Sequence, residues 1–288
     1  MPFVPRGKAR LHLLAEKSLG LASVPRGKSV KTQAAPVELA RSASVAATKP
    51  AAARVATPPS PPRPAIAATT PTALFAGTDG PPTEPITAPV LPTDLKRLAL
   101  AQMDEREVRI CTACRLCQTR THTVFGEGDV DARLMFIGEG PGENEDLSGR
   151  PFVGRAGDLL ERQINAMGLA RDRVFIANIV KCRPPGNRAP APDETLACTP
   201  FLVRQIEIVR PAVIVTLGLP ATQFVLSTKI AMGKLRGNWH AWRGIDVMPT
   251  YHPAYLLRNY TDEVRRMVWS DLQQVMERLG LAAPRKEI

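Results

Sequence analysis

Mainly apolar runs of strand length alternate with stretches of helical spacing along the last two thirds of the chain. The runs are Leu134–Ile137, Val174–Val180, Val213–Leu217 and Val247–Thr250, the last interrupted by Pro249. Runs without apolar–polar alternation belong to strands buried on both faces. Between and around them, Leu95–Val108, Asp158–Met167, Asp193–Val209, Ala221–Leu226 and Asp262–Leu279 are spaced as helices. Asp94 is placed to cap the first of these; Gly168 and Pro211 stop two others. The alternation predicts an α/β fold, a central and mostly parallel four-stranded sheet flanked by helices on both faces. In such a sheet a ligand sits at the carboxyl ends of the strands. Three of the strands run there into polar, Gly- or Pro-rich segments: Gly138–Gly142, Lys181–Pro192 and His252–Asn259.

The first third has a different character. Residues 1–93 hold 16 of the 28 prolines, and eleven Lys or Arg against four acids, so they carry +7 of the net charge of +11. Large apolar residues are too few there to offset the entropy of ordering. The expectation is a disordered basic Pro/Ala-rich tail over 1–93 and one folded domain over 94–288. Within the tail, Val4–Lys8 and Val24–Lys28 repeat the same five residues, with one marginal helix between them over Ala9–Leu19. Pro58–Pro62 stiffens the linker toward polyproline II. The acid-poor start shares its character with transit peptides, but a basic arm is the simpler reading. No apolar run approaches 18 residues, which predicts no membrane span, and no secretory or lipidation signal is read.

All five cysteines lie in the predicted domain. Cys111, Cys114, Cys182 and Cys198 have the spacing C-x2-C-x67-C-x15-C, and Cys117 is a third member of the first group. A close pair plus two distant cysteines suits a four-thiolate site assembled from separate loops. Soft thiolates select zinc or an iron–sulfur cluster, and spacing does not choose between them. Spacing also allows any two of the three clustered cysteines to serve.

The segment after the first strand, Gly138-Glu139-Gly140-Pro141-Gly142, lacks the order of a dinucleotide fingerprint and the Gly-Lys-Ser/Thr of a phosphate loop. Its glycines let backbone approach a ligand closely. Glu139, at the strand end, is placed to position a water molecule, and Phe152 offers a stacking face.

Four blocks then carry a resemblance. Cys111-Thr-Ala-Cys114-Arg-Leu, Gly138–Gly142 with Gly149-Arg-Pro-Phe-Val-Gly154, Asn178-Ile-Val-Lys-Cys182-Arg-Pro-Pro185, and His252-Pro-Ala-Tyr-Leu-Leu-Arg-Asn259 occur in one order. In blocks and spacing the chain over about 105–280 resembles the family 4 uracil-DNA glycosylases, the iron–sulfur branch of their superfamily. The resemblance implies a structural [4Fe-4S] cluster on Cys111, Cys114, Cys182 and Cys198, with Cys117 unligated. It implies that Phe152 stacks on uracil beside Gly140, that Asn178 reads the uracil edge, and that His252 contacts O2. Glu139 becomes the first choice for positioning water and Glu145 the second, because Gly140 stands where better-known relatives carry an aspartate. A related branch traps DNA through a histidine; Lys181–Arg188 contains none, so trapping is not expected.

For DNA, Leu256 and Leu257 are read as a wedge into the gap left by a flipped base. Arg183, Arg188, Lys234, Arg236 and Arg258 are read as phosphate contacts. The implied partner is uracil-containing DNA, single- or double-stranded, and the implied setting a monomer in the bacterial cytoplasm. Two other readings compete: an inactive lesion or nucleic-acid binder that keeps the fold and cluster, and an iron–sulfur redox or sensing protein. Neither needs a uracil-shaped pocket.

Overall fold

The computed structural model describes residues 84–282. The repeat, the short helix and the polyproline stretch expected in the tail lie outside those residues. Among the described residues six strands form one mixed sheet: β1 (Glu127–Gly128), β2 (Leu134–Gly138), β3 (Phe175–Asn178), β4 (Val213–Leu217), β5 (His240–Trp242) and β6 (Ile245–Thr250), in the order β1-β3-β2-β4-β6-β5. The four strands expected from the sequence are its parallel centre. The expected count of four is corrected to six by the antiparallel edge strands β1 and β5. These are two and three residues long, so they carry no apolar run to read.

The central strands alternate between two cores. Met135, Ile137, Ile214 and Val247 face one side; Leu134, Phe136, Val213, Val215 and Met248 face the other. The first side is covered by α1 (Thr93–Met103), α4 (Pro192–Val209) and α5 (Leu219–Val225), the second by α3 (Arg155–Ala166) and α8 (Asp262–Leu279). Burial on both faces explains why these strands read as continuous apolar runs. Pro249 pairs with Thr216 of β4 but lies beyond Val247, where β5 ends. There β6 has a neighbour on one side only, so a missing N–H costs least.

Helix ends follow local chemistry. The Thr261 hydroxyl accepts the Val264 N–H at 3.3 Å to open α8, and Gly280 closes it in left-handed backbone. Asp94 does not cap α1: Pro92 holds that position, and Asp94 sits in the first turn, paired with Arg97 at 3.2 Å. Three short helices had no periodic signal, α2 (Glu143–Ser148), α6 (Met232–Leu235) and α7 (Pro253–Arg258). Residues 84–92, read from sequence as tail, run along the body. Arg210 donates to the carbonyls of Ile86 and Ala88, Arg243 donates to that of Glu84, and Ile86 packs on the first core. Among the described residues no helix is long and apolar enough to cross a membrane.

Candidate active site and thiol cluster

The carboxyl ends of β2, β3, β4 and β6 open into a cavity of about 840 Å³ that Glu139, Gly140, Phe152, Asn178 and His252 line together. Phe152 is held in left-handed backbone, φ 51°, which a bulky residue adopts only where its surroundings enforce it. Glu145 supplies the enforcement. One carboxylate oxygen accepts the N–H groups of Val153 (3.0 Å) and Gly154 (3.2 Å), and the other accepts that of Gly142 (3.1 Å). The Phe152 ring lies against the His252 imidazole, centroids 5.6 Å apart and planes 30° inclined.

Asn178 ends β3 with its side chain inward, 1 % exposed, and its Oδ1 is buried without a hydrogen-bond partner among the described residues. Such an orphan acceptor costs about 1–3 kcal/mol, a cost a ligand donor would remove. Gly138 at the end of β2 is needed for this arrangement: a Cβ there would stand 2.4 Å from Asn178 Oδ1 and 2.6 Å from Phe152 Cζ. Gly218 does the same after β4, where a Cβ would meet His252 Cβ at 3.0 Å.

His252 opens α7, and its Nδ1 accepts the Ala254 N–H at 3.0 Å. The ring proton therefore sits on Nε2. Burial, reinforced by the positive charge of Arg258, lowers the His252 pKa to about 4. The neutral imidazole is thus a donor through Nε2 at physiological pH. An unfolded histidine titrates near 6.5, so the unfolded chain takes up this proton first. The stability contributed is complete above pH ~6.5 and falls as pH drops toward about 4. Thermal unfolding across that range should show this slope, and His252→Gln should flatten it. An unchanged slope in the variant would mean that the imidazole is not held neutral. Burial also raises the pKa of Glu139, the pocket carboxylate that makes no hydrogen bond among the described residues.

The cationic residues divide. Lys234 and Arg258 are exposed, and Arg258 lines the cavity rim. Arg188 also lines it but is bound to Glu194 by two bonds, 2.6 and 2.8 Å. Glu194, whose pKa Arg188 holds down to about 2, further binds Arg115 and the Ala191 N–H. Arg183 reaches Asn187 at 2.7 Å and Glu143 at 3.6 Å. Arg236 is clamped by Asp271 and the Met267 carbonyl, which makes it a brace for α8. Leu256 is 3 % exposed and part of the second core, so of the expected wedge pair only Leu257, half-buried, remains near the surface. Tyr255, unread in the sequence, is exposed on α7 together with Arg258. It stacks on Tyr251 at 4.9 Å, and both line the cavity.

On the opposite side of β3, Cys111, Cys114, Cys117, Cys182 and Cys198 line one small void with Arg120, Lys181 and Phe201. Arg120 donates to Cys182 Sγ at 3.1 Å, and the Lys181 N–H donates to Cys198 Sγ at 3.2 Å. Burial raises the Cys114 and Cys182 thiols and pushes Cys198 up to about 12, so a metal must displace protons to bind. Among the described residues no group of three donors is placed to hold a single ion; the five thiols line one void. The buried Lys181 is pushed down to about 8 by desolvation, against the pull of Cys198 and Cys182.

The chain matches the family model of the uracil DNA glycosylase superfamily over residues 125–273. It is 50% identical over 180 residues to the type-4 uracil-DNA glycosylase of Thermotoga maritima, covering 62% of this chain and 94% of that protein. It is 50% identical over 183 residues to that of Saccharolobus solfataricus, 60% of this chain and 84% of the relative. To the Archaeoglobus fulgidus protein of the same name it is 40% identical over 187 residues, 62% and 93%. A sheet whose strand ends gather the pocket, a thiol ring behind β3 and these matches lead to one conclusion: the chain belongs to the type-4 family of the uracil-DNA glycosylase superfamily.

Proposed function

We propose that this protein is a uracil-DNA glycosylase that draws uracil out of DNA and hydrolyses its N-glycosidic bond, leaving an abasic site. The observation that carries the reading is the buried, unpartnered Asn178 Oδ1 beside the Phe152–His252 pair. Uracil presents a donor at N3 and an acceptor at O4, which an Asn carbonyl and amide complement. Cytosine presents the reverse at both. A pocket that leaves buried groups unpaired rejects the wrong base strongly.

The reaction follows from the same residues. Extruding the base costs a few kcal/mol, less at a mismatch, and Phe152 offers the base a face to stack on. As the C1′–N1 bond breaks, its electron pair leaves with uracil and negative charge grows on O2. His252 donates to that oxygen through Nε2–H; a donor so placed is worth on the order of 100- to 1000-fold in rate. Water adds to C1′ and its proton passes to a carboxylate. Glu139 suits that role, because Glu145 already has both oxygens on backbone N–H groups. Exposed Lys234 and Arg258 suit phosphates, and Tyr255 suits a base face.

Five thiols lining one void suit an iron–sulfur cluster. A four-iron cluster takes one thiolate per iron around a volume, whereas zinc draws four donors to one point. Cys111, Cys114, Cys182 and Cys198 would hold it. It would brace three chain segments against one another, since the hydrolysis needs no electrons.

The reading is tested with one oligonucleotide duplex carrying U, C or T at the same position, treated with protein, then alkali, and run on a gel. Cleavage of the U duplex alone is expected; no cleavage, or equal cleavage of the three, would overturn it. The basic tail would add electrostatic attraction to DNA. Deleting residues 1–83 should leave kcat and iron content unchanged but raise KM and weaken its salt dependence between about 50 and 200 mM. A salt dependence equal to that of the full chain would remove the tail from the DNA interface.

A further inference from the structure

Lys181 is buried, 1 % exposed, and lines the thiol void three residues after Asn178. Its Nζ donates to the Asn178 backbone carbonyl at 2.9 Å and to Gln205 Oε1 at 2.6 Å. Gln205 in turn donates to the Phe125 carbonyl at 2.8 Å. Both acceptors of the ammonium are neutral, and among the described residues no carboxylate pairs with it. The other buried lysine, Lys96, has Asp131 at 2.8 Å. On the thiol side, the Lys181 N–H donates to Cys198 Sγ at 3.2 Å, and Cys182 follows Lys181 in the chain. One residue thus touches the metal side with its backbone and the base-reading side with its side chain.

We propose that Lys181 is a positioning residue that ties the thiolate-held site to the pocket: its N–H donates to Cys198 Sγ while its side chain, bonded to the Asn178 carbonyl, fixes the end of β3 for uracil. The inference rests on the glycosylase reading for its second half and on the fit of the thiol ring to a cluster for its first.

The test is K181M in the full chain, which keeps the stem and removes the charge. Three quantities are read: iron per chain with the reduction potential of the bound cluster, inhibition by free uracil, and kcat/KM per iron-loaded molecule. The expected result is a shifted potential, uracil inhibition weakened about tenfold or more, and a similar loss in kcat/KM, as for a lost bond to a charged donor. If K181M does not fold, Gln205→Leu, which frees one of the two anchors of the ammonium, should move the same quantities in the same direction by a smaller factor. A variant that loses only melting temperature, with wild-type potential and uracil inhibition, would reduce Lys181 to a core residue and overturn the proposal. Should the wild-type protein excise no uracil, the glycosylase reading fails separately, because iron content and potential are measured without substrate.

Discussion

Replacing Asn178 by leucine should lower kcat/KM for uracil excision by on the order of a thousandfold or more, while leaving the fold in place. The two halves of this expectation have one cause. The Asn178 Oδ1 makes no bond within the described protein, so it adds nothing to folding. A leucine of similar size removes a buried orphan, and the melting temperature should hold or rise. The same change leaves N3–H and O4 of a bound uracil without partners in a closed pocket, the arrangement that discriminates most strongly between ligands. Single-turnover rates on a U·G duplex, set beside thermal unfolding, check both halves. A loss below about tenfold would take Asn178 out of base recognition. A collapse in melting temperature would mean that its role is structural.

The second large effect concerns the cluster. Cys182→Ser should lose most of the iron, expected at about four per chain in the wild type. It should also lower the melting temperature on the order of 10 °C, because a metal held by buried thiolates would be part of folding. Cys182 is 6 % exposed and packs in the first core, so an unligated hydroxyl there adds a buried polar group as well. Cys117→Ser should keep its iron and visible absorption, although Cys117 lines the same void. Iron analysis of the two purified variants decides this. Full iron in Cys182→Ser, or none in Cys117→Ser, would reassign the ligands.

What could be read in the chain depended on whether a residue's role was set by its neighbours in sequence. The four central strands were legible because burial on both faces writes an apolar run; β1 and β5 were not, being edges of two and three residues. Glu139, Asn178 and His252 were legible as candidates because they stand at or just past strand ends, where parallel sheets bind ligands, and Phe152 because its block carries the family resemblance. Their mutual support was not. Nothing local marks Glu145 as the clamp that bends Phe152 into place, since its partners Val153 and Gly154 lie beyond a helix. Arg236 reads as a free cation until Asp271, 35 residues on, is seen to hold it. Leu256, read as half of an exposed wedge, is buried because Pro253–Arg258 winds into a helix with one face inward. Lys181, the first residue of a polar segment, gives no sign that its ammonium turns back to Asn178.

The central claim is that the Phe152, Asn178 and His252 pocket cuts the bond between uracil and deoxyribose. The most direct measurement is chromatography of the products from a uracil-containing duplex incubated with the full chain. Free uracil should appear in equal amount to abasic sites, in a strand that stays continuous until alkali is added. Continued absence of free uracil, or a strand broken without an abasic site, would contradict the account.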